Sequence, residues 1–191
     1  VAEKKESPGT AFAANQSEDG MKRQIVWIVV VALTLSGCAA RQKTVTNLPA
    51  GVTQAQAQNW DTAVANLDKI AQTVTTLRQA VIALNQQTIT DSTGTHKVLP
   101  DGSTYVAILT SIGKIDQAEI DASNFLKAQP QNWGVDAQTK VKNEIAIIQQ
   151  EIAAINSQGL TGIKSQSAQN QVQQLVNNLS GLATLILSLA A

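Results

Sequence analysis

Five places in this 191-residue chain carry side chains able to do chemistry. Cys38 is the only thiol, so no disulfide can form within the chain; a lone Cys is either a small buried hydrophobe or a nucleophile that takes a covalent group. His96 is the only imidazole, which excludes any site built on two. It sits in Thr93-Gly94-Thr95-His96-Lys97, where nothing in the local sequence suggests a pocket in which it would serve Ser and Asp partners of a nucleophilic triad, and it reads as a solvated loop histidine. The loop that begins at Asp91 also fails as an EF-hand calcium loop, because its twelfth position is Gly102 rather than Glu. Asp116 and Glu119, at i and i+3, share one face of a helix and are the only carboxylate pair worth testing as acid and base. A di-iron centre would need Glu-x-x-His pairs, so the simpler reading of these two is a solvated face. Gly159-Leu160-Thr161-Gly162 is too short to cradle a phosphate and lacks the Lys-Ser/Thr that follows in a phosphate loop. The expectation is no catalytic residue, no metal and no cofactor.

The elements around Cys38 are more telling. Met21 is followed by Lys22 and Arg23, then by an apolar run from Ile25 to Leu33, then by Thr34-Leu35-Ser36-Gly37-Cys38. A positive start, a short apolar stretch and small residues at its end read as a secretory signal peptide over 21–37. The apolar run is well short of the roughly 20 residues that cross a bilayer core. Leu35-Ser36-Gly37-Cys38 resembles the lipobox of bacterial lipoprotein precursors. That resemblance implies cleavage between Gly37 and Cys38, a diacylglyceryl thioether on Cys38 and acylation of its new amino group. Ala39, in place of Asp, implies transfer to the outer membrane, facing the periplasm, in a Gram-negative host. The resemblance covers residues 21–38 alone.

Residues 1–20 are polar, mixed in charge and without periodicity, and read as disordered or as an upstream extension with Met21 the true initiator. The competing reading is a cytoplasmic tail before an uncleaved anchor. Residues 38–52, the lipidated Cys and a stretch with Pro49 and Gly51, read as a flexible tether, spanning about 20 Å as a random coil. Arg41 and Lys43 lie where anionic headgroups attract them.

From residue 53 to 191 the apolar residues recur at steps of three and four. Thr53 caps a first helix over 53–88, with Trp60, Val64, Leu67, Val74, Leu77, Val81 and Leu84 on one stripe. A second, 103–128, starts at Ser103 and is closed by Pro130; a third, 136–157, is capped by Asp136; a fourth spans 165–190. Between the first two, Thr88-Ile89-Thr90 and Lys97-Val98-Leu99 form a short hairpin around Ser92-Thr93-Gly94. Four one-striped helices bury their stripes best against each other, so the expected fold is all-α, an antiparallel four-helix bundle. The first helix is expected to outreach its partners by roughly ten residues, the overhang either carrying the domain outward or packing beneath the 89–102 connection. Ala55-Gln56-Ala57-Gln58-Asn59-Trp60 and Ala128-Gln129-Pro130-Gln131-Asn132-Trp133 match at five of six positions, which points to two related hairpins or to chance in a Gln-rich chain.

Lys+Arg and Asp+Glu number 14 each, so no net positive charge exists to displace counterions from nucleic acid. The composite expectation is a lipid-anchored cell-envelope lipoprotein whose non-catalytic helical module binds an envelope protein or its own copies, the membrane being reached through Cys38. The alternative is a carrier of an apolar ligand between the helices. The charge-free stretch Leu179–Ala191 fits the most buried helix, a membrane-touching C-terminus or a subunit contact.

Overall fold

The first helix of the computed structural model, α1 (Gln54–Gln86), begins at a reciprocal cap. The Gln56 backbone N–H donates to Thr53 Oγ1 at 3.2 Å, and the Thr53 N–H donates to Gln56 Oε1 at 2.9 Å. Two of the orphan donors of the first turn are thereby satisfied. The chain is described over residues 47–99 and 101–190, which belong to the unit Gln42–Ala191. The expected signal peptide over 21–37 and the expected lipidation site, with Leu35, Ser36, Gly37 and Cys38, lie outside the described residues. The described part of the tether makes a turn, in which the Val52 N–H donates to the Pro49 carbonyl and Gly51 takes a φ of 83°.

No Gly or Pro interrupts α1, and its stripe of Leu67, Ile70, Val74, Leu77 and Val81 is fully buried. The helix ends where Gln87 turns extended and a hairpin starts. Strands β1 (Thr88–Asp91) and β2 (Gly94–Lys97) pair antiparallel, Thr88 opposite Lys97 and Asp91 opposite Gly94. The ladder is set two residues tighter than the expected pairing of Thr88-Ile89-Thr90 with Lys97-Val98-Leu99. Gly94, at φ 128°, supplies the positive φ that closes the turn. Val98 still bonds the end of the ladder, its N–H donating to the Gln87 carbonyl at 2.9 Å, and Val98 and Leu99 sink to 2% and 1% exposure, burying two large apolar side chains where the ribbon ends.

Helix α2 (Gly102–Ala128) is capped by Asp101, not Ser103: the Ser103 N–H donates to Asp101 Oδ1 at 2.9 Å, and Asp101 has the extended backbone that a cap requires. The Ser103 hydroxyl, donating to Asp101 Oδ2, is the main reason the Asp101 carboxyl titrates below its ordinary value, and the Ser103 N–H bond adds to it. Helix α3 (Val135–Ala154) starts at Gly134 with no side-chain cap, and Asp136 falls inside its first turn. Asn132 Oδ1 accepts the Gly134 N–H at 3.1 Å, so the side chain that turns the chain belongs to the loop. After Ala154 the helix loosens into a π-helical turn, Ile155–Gly159, and tightens into a 3-10 turn, Leu160–Gly162. Ser165 caps α4 (Gln166–Leu189).

The described residues are thus predominantly helical, an all-α fold with one small hairpin. Helix α2 packs on α1 and α3, and α4 packs on α1 and α3. Their stripes form one continuous core, with Ile112, Ile115, Ile145, Ile148, Val172 and Leu179 all at 0% exposure. Val98 and Leu99 belong to the same core as Val81 and Leu84, and the Val98 N–H bonds the Gln87 carbonyl just past α1, so the end of α1 packs with the 89–102 connection rather than standing clear.

Candidate functional site

Two ion pairs tie α2 to its neighbours beside the core. Toward α1, Arg78 Nη2 donates to Asp116 Oδ2 at 3.0 Å, each side chain about one-third exposed. Toward α3, Lys114 Nζ donates to Glu151 Oε1 at 2.9 Å. One heptad earlier on α3, Glu144 accepts from Lys140 across one helical turn. Glu144 and Glu151 lie seven residues apart, beside Ile145 and Ile152, at the edge of the apolar stripe, and are 6% and 5% exposed. Burial pushes the Glu151 carboxyl up, but hydrogen bonds from Lys114 and Ser111, with the Lys114 charge, outweigh it and hold it below the ordinary range. The bond to Glu144 holds the Lys140 ammonium above its ordinary value.

Glu119 is different. It is 5% exposed, and burial raises its carboxyl above the ordinary range. Lys127 opposes that rise, while Asp68 on α1 and Asp116 one turn back add to it. One turn on, the Ser123 hydroxyl is buried with no hydrogen-bond partner. Asp116 and Glu119 therefore do not act as a pair: Asp116 is committed to Arg78 at the half-exposed rim, and Glu119 is folded inward. Sequence spacing placed them correctly on one helix but missed this divergence, since a 60° difference in direction decides which one the core receives.

His96 stands on the exposed β2, with Nε2 at 2.9 Å from Thr93 Oγ1, and a second hydroxyl contact, Thr90 to Thr95 at 3.0 Å, crosses the ribbon. Gly159-Leu160-Thr161-Gly162 forms the turns between α3 and α4; a Cβ at Gly162 would come within 2.7 Å of Thr104, so the glycine there serves a close approach to α2. Among the described residues, no three His, Cys, Asp or Glu side chains are grouped to hold a metal ion. Among the same residues, no helix is long and apolar enough to cross a membrane.

Both tryptophans of the related hexapeptides close helix ends. Trp60 Nε1 donates to the Leu126 carbonyl at 3.0 Å, and Trp133 Nε1 donates to the Leu189 carbonyl at 2.8 Å. Each indole thus bonds a carbonyl in the last turn of a helix, α2 and α4 respectively; the Leu126 carbonyl also accepts the Gln129 N–H at 3.1 Å. The surrounding backbone is unlike: Trp60 lies within α1, whereas Trp133 lies in the loop before α3. Pro130 accounts for that difference, since Ala57 at the matching position continues a helix and Pro130 does not.

No protein-family model, curated protein or solved structure matches the chain.

Proposed function

We propose that this chain is a bacterial envelope lipoprotein: a covalent lipid on Cys38 holds a non-catalytic helical module against a membrane, where the module binds an envelope protein or its own copies. The observation that carries the reading is Leu35-Ser36-Gly37-Cys38 standing directly after Lys22, Arg23 and a short apolar run, with no other thiol in the chain. Only a thiol yields the thioether, and Ser36 and Gly37 leave the peptide bond before Cys38 open to a peptidase. One acyl chain holds a protein marginally, at about 0.8 kcal/mol per buried methylene, whereas two or three make attachment lasting. In a Gram-negative host, Ala39 after the Cys directs the product to the outer membrane, facing the periplasm.

The module itself is read as an antiparallel four-helix bundle. Supporting this are the contacts that join α1 near its start to α2 near its end, Trp60 with Leu126, and mid-α1 to mid-α2, Arg78 with Asp116. The contact of Trp133, just before α3, with Leu189 at the end of α4 supports the same arrangement for the second pair. A catalytic role has little support: Asp116 is committed to Arg78 while Glu119 is folded inward, and His96 stands on the exposed β2. Localisation is then the mechanism, since confinement to a surface raises the effective concentration of the module for its neighbours.

The test is Cys38→Ala. The expected product keeps its leader and carries no lipid by intact-mass spectrometry. A wild-type product with an unmodified Cys38 thiol refutes the reading.

A further inference from the structure

The end of the helical module at which α1 begins is built from three stretches that hydrogen bonds bring together. Trp60 ties the start of α1 to Leu126 at the end of α2, and Trp133 ties the loop before α3 to Leu189 at the end of α4. Residues 47–60, 128–135 and 183–190 contain no Asp, Glu, Lys, Arg or His. The first charged side chains beyond them are Asp61, Lys127 and Asp136, which form the rim. The opposite end differs: around the hairpin stand His96, Lys97, Asp101 and Lys164, the last with its N–H on the Val98 carbonyl. Removing charged groups from water is costly, so the uncharged end is the one that can approach an apolar phase.

Apolar side chains are exposed at this end. Val135, the first residue of α3, is 76% exposed, the most of any large apolar side chain among the described residues. Leu185, one turn before Leu189, is 54% exposed, and Leu48, in the turn before α1, is also exposed. The turn that leads to Val135 adds the amides of Gln129, Gln131 and Asn132. Amides both donate and accept, so headgroup oxygens and interfacial water can satisfy them, whereas acyl tails could not.

The length of chain before α1 says what this end meets. Nine peptide units link Cys38 to Asn47, a reach of at most about 32 Å, whereas the 33 residues of α1 extend about 50 Å. With Cys38 held in lipid, the start of α1 stays beside the membrane at any tilt of the module. We infer that the uncharged end formed by residues 47–60, 128–135 and 183–190 rests on the lipid surface, with Val135 in the headgroup layer. This makes the membrane itself a partner of the module and rests on the lipid-anchor reading above. Two acids and one lysine at the rim give anionic lipid no net attraction, so the surface that fits is zwitterionic. A few apolar side chains do not hold a protein on lipid unaided; the anchor keeps them there at high local concentration.

The experiment uses the full chain, purified from cells in detergent and reconstituted in phosphatidylcholine vesicles that carry a nitroxide-labelled lipid with its spin just below the headgroups. Val135→Cys and Val106→Cys are compared, each bearing an environment-sensitive dye on the new thiol. Val106 is 60% exposed on α2, about 30 Å along that helix from Leu126. Both sites are exposed valines, so neither substitution opens the core. The expected result is at least threefold stronger quenching by the nitroxide at residue 135 than at residue 106. Equal quenching at the two sites overturns the proposal, since the module then lies flat or stands clear of the bilayer. A blue-shifted dye at residue 135 that the nitroxide does not quench also overturns it, since another copy of the chain then covers this end. The parent chain reads the anchor separately, because it takes up dye only where the Cys38 thiol is bare. Dye on the parent rejects the anchor; a dye-free parent with equal quenching in the two variants rejects the lipid contact alone.

Discussion

Glu119 and Glu151 are equally buried and differ in what reaches them. Glu151 has Lys114 and Ser111, so its ionised form is favoured in the fold; Glu119 has no bonded cation, so its ionised form is disfavoured. The consequences for stability have opposite signs. A carboxyl held low contributes stability above its unfolded value and loses it as pH falls through the folded one. A carboxyl held high carries a penalty at neutral pH, and the penalty disappears as pH falls through the raised value to the ordinary one. Glu119→Gln is therefore expected to stabilise the protein by about 1 kcal/mol at pH 7, the scale for desolvating one unpartnered polar group. The gain should shrink toward zero near pH 4.5, which urea melts at a series of pH values would show. A variant less stable than the parent at pH 7 would mean that Glu119 has a partner. The acids at the rim of the α3 stripe were open to recognition from their heptad spacing beside Ile145 and Ile152. Their lysine partners were not, because an ion pair between helices depends on how each is rotated about its axis.

The four helices were legible because each carries one apolar stripe at steps of three and four, a pattern that only a helix turns into a single face. Their boundaries were less so. Asp101 and Ser103 are both good caps two residues apart, and only the extended backbone at Asp101 decides between them. The end of α3 was obscured because Gly159 and Gly162 mark a break without saying that the chain passes through a widened turn and then a narrowed one. Glycines within the elements divide by what surrounds them. Gly113 lies on an exposed face of α2 with open space where a Cβ would go, so Gly113→Ala should raise stability by about 0.5–1 kcal/mol through helix propensity. Gly162→Ala drives a Cβ to within 2.7 Å of Thr104 Cγ2 and 3.2 Å of its Cβ, a stiff β-branched side chain, and should lower stability by about 1 kcal/mol or more. Thermal melts of the two variants test both signs, and the same sign for both would remove the packing argument at Gly162.

At the scale of the molecule, the described core is continuous from Ala63 to Ala190 and has no separable half. Ile148, at 0% exposure on α3, belongs to the same cluster as Leu67 on α1, Ile112 on α2 and Leu179 on α4. Ile148→Asp puts an unpaired carboxylate among apolar side chains and should cost more than about 4 kcal/mol, enough to unfold a domain of ordinary stability. Loss of the helical circular-dichroism signal is the expected outcome; an unchanged spectrum and melting midpoint would contradict the seam. Destabilisation confined to α3 and α4 would show that the two hairpins fold separately, as the resemblance between residues 55–60 and 128–133 would allow.

Composition and periodicity alone determined the helical class, the four stripes, the cap at Thr53 and the presence of a hairpin between the first two helices, because each depends on neighbours within a few residues. The chemistry proposed for Cys38 likewise rests on local order along the chain. Tertiary structure decided which polar residues the core receives. It turned Glu119 inward while Asp116 stayed at the rim, gave Glu151 a lysine from another helix, and set both indoles on the carbonyls of helix ends. These outcomes depend on the rotation and offset of whole helices, quantities that no short stretch of sequence contains.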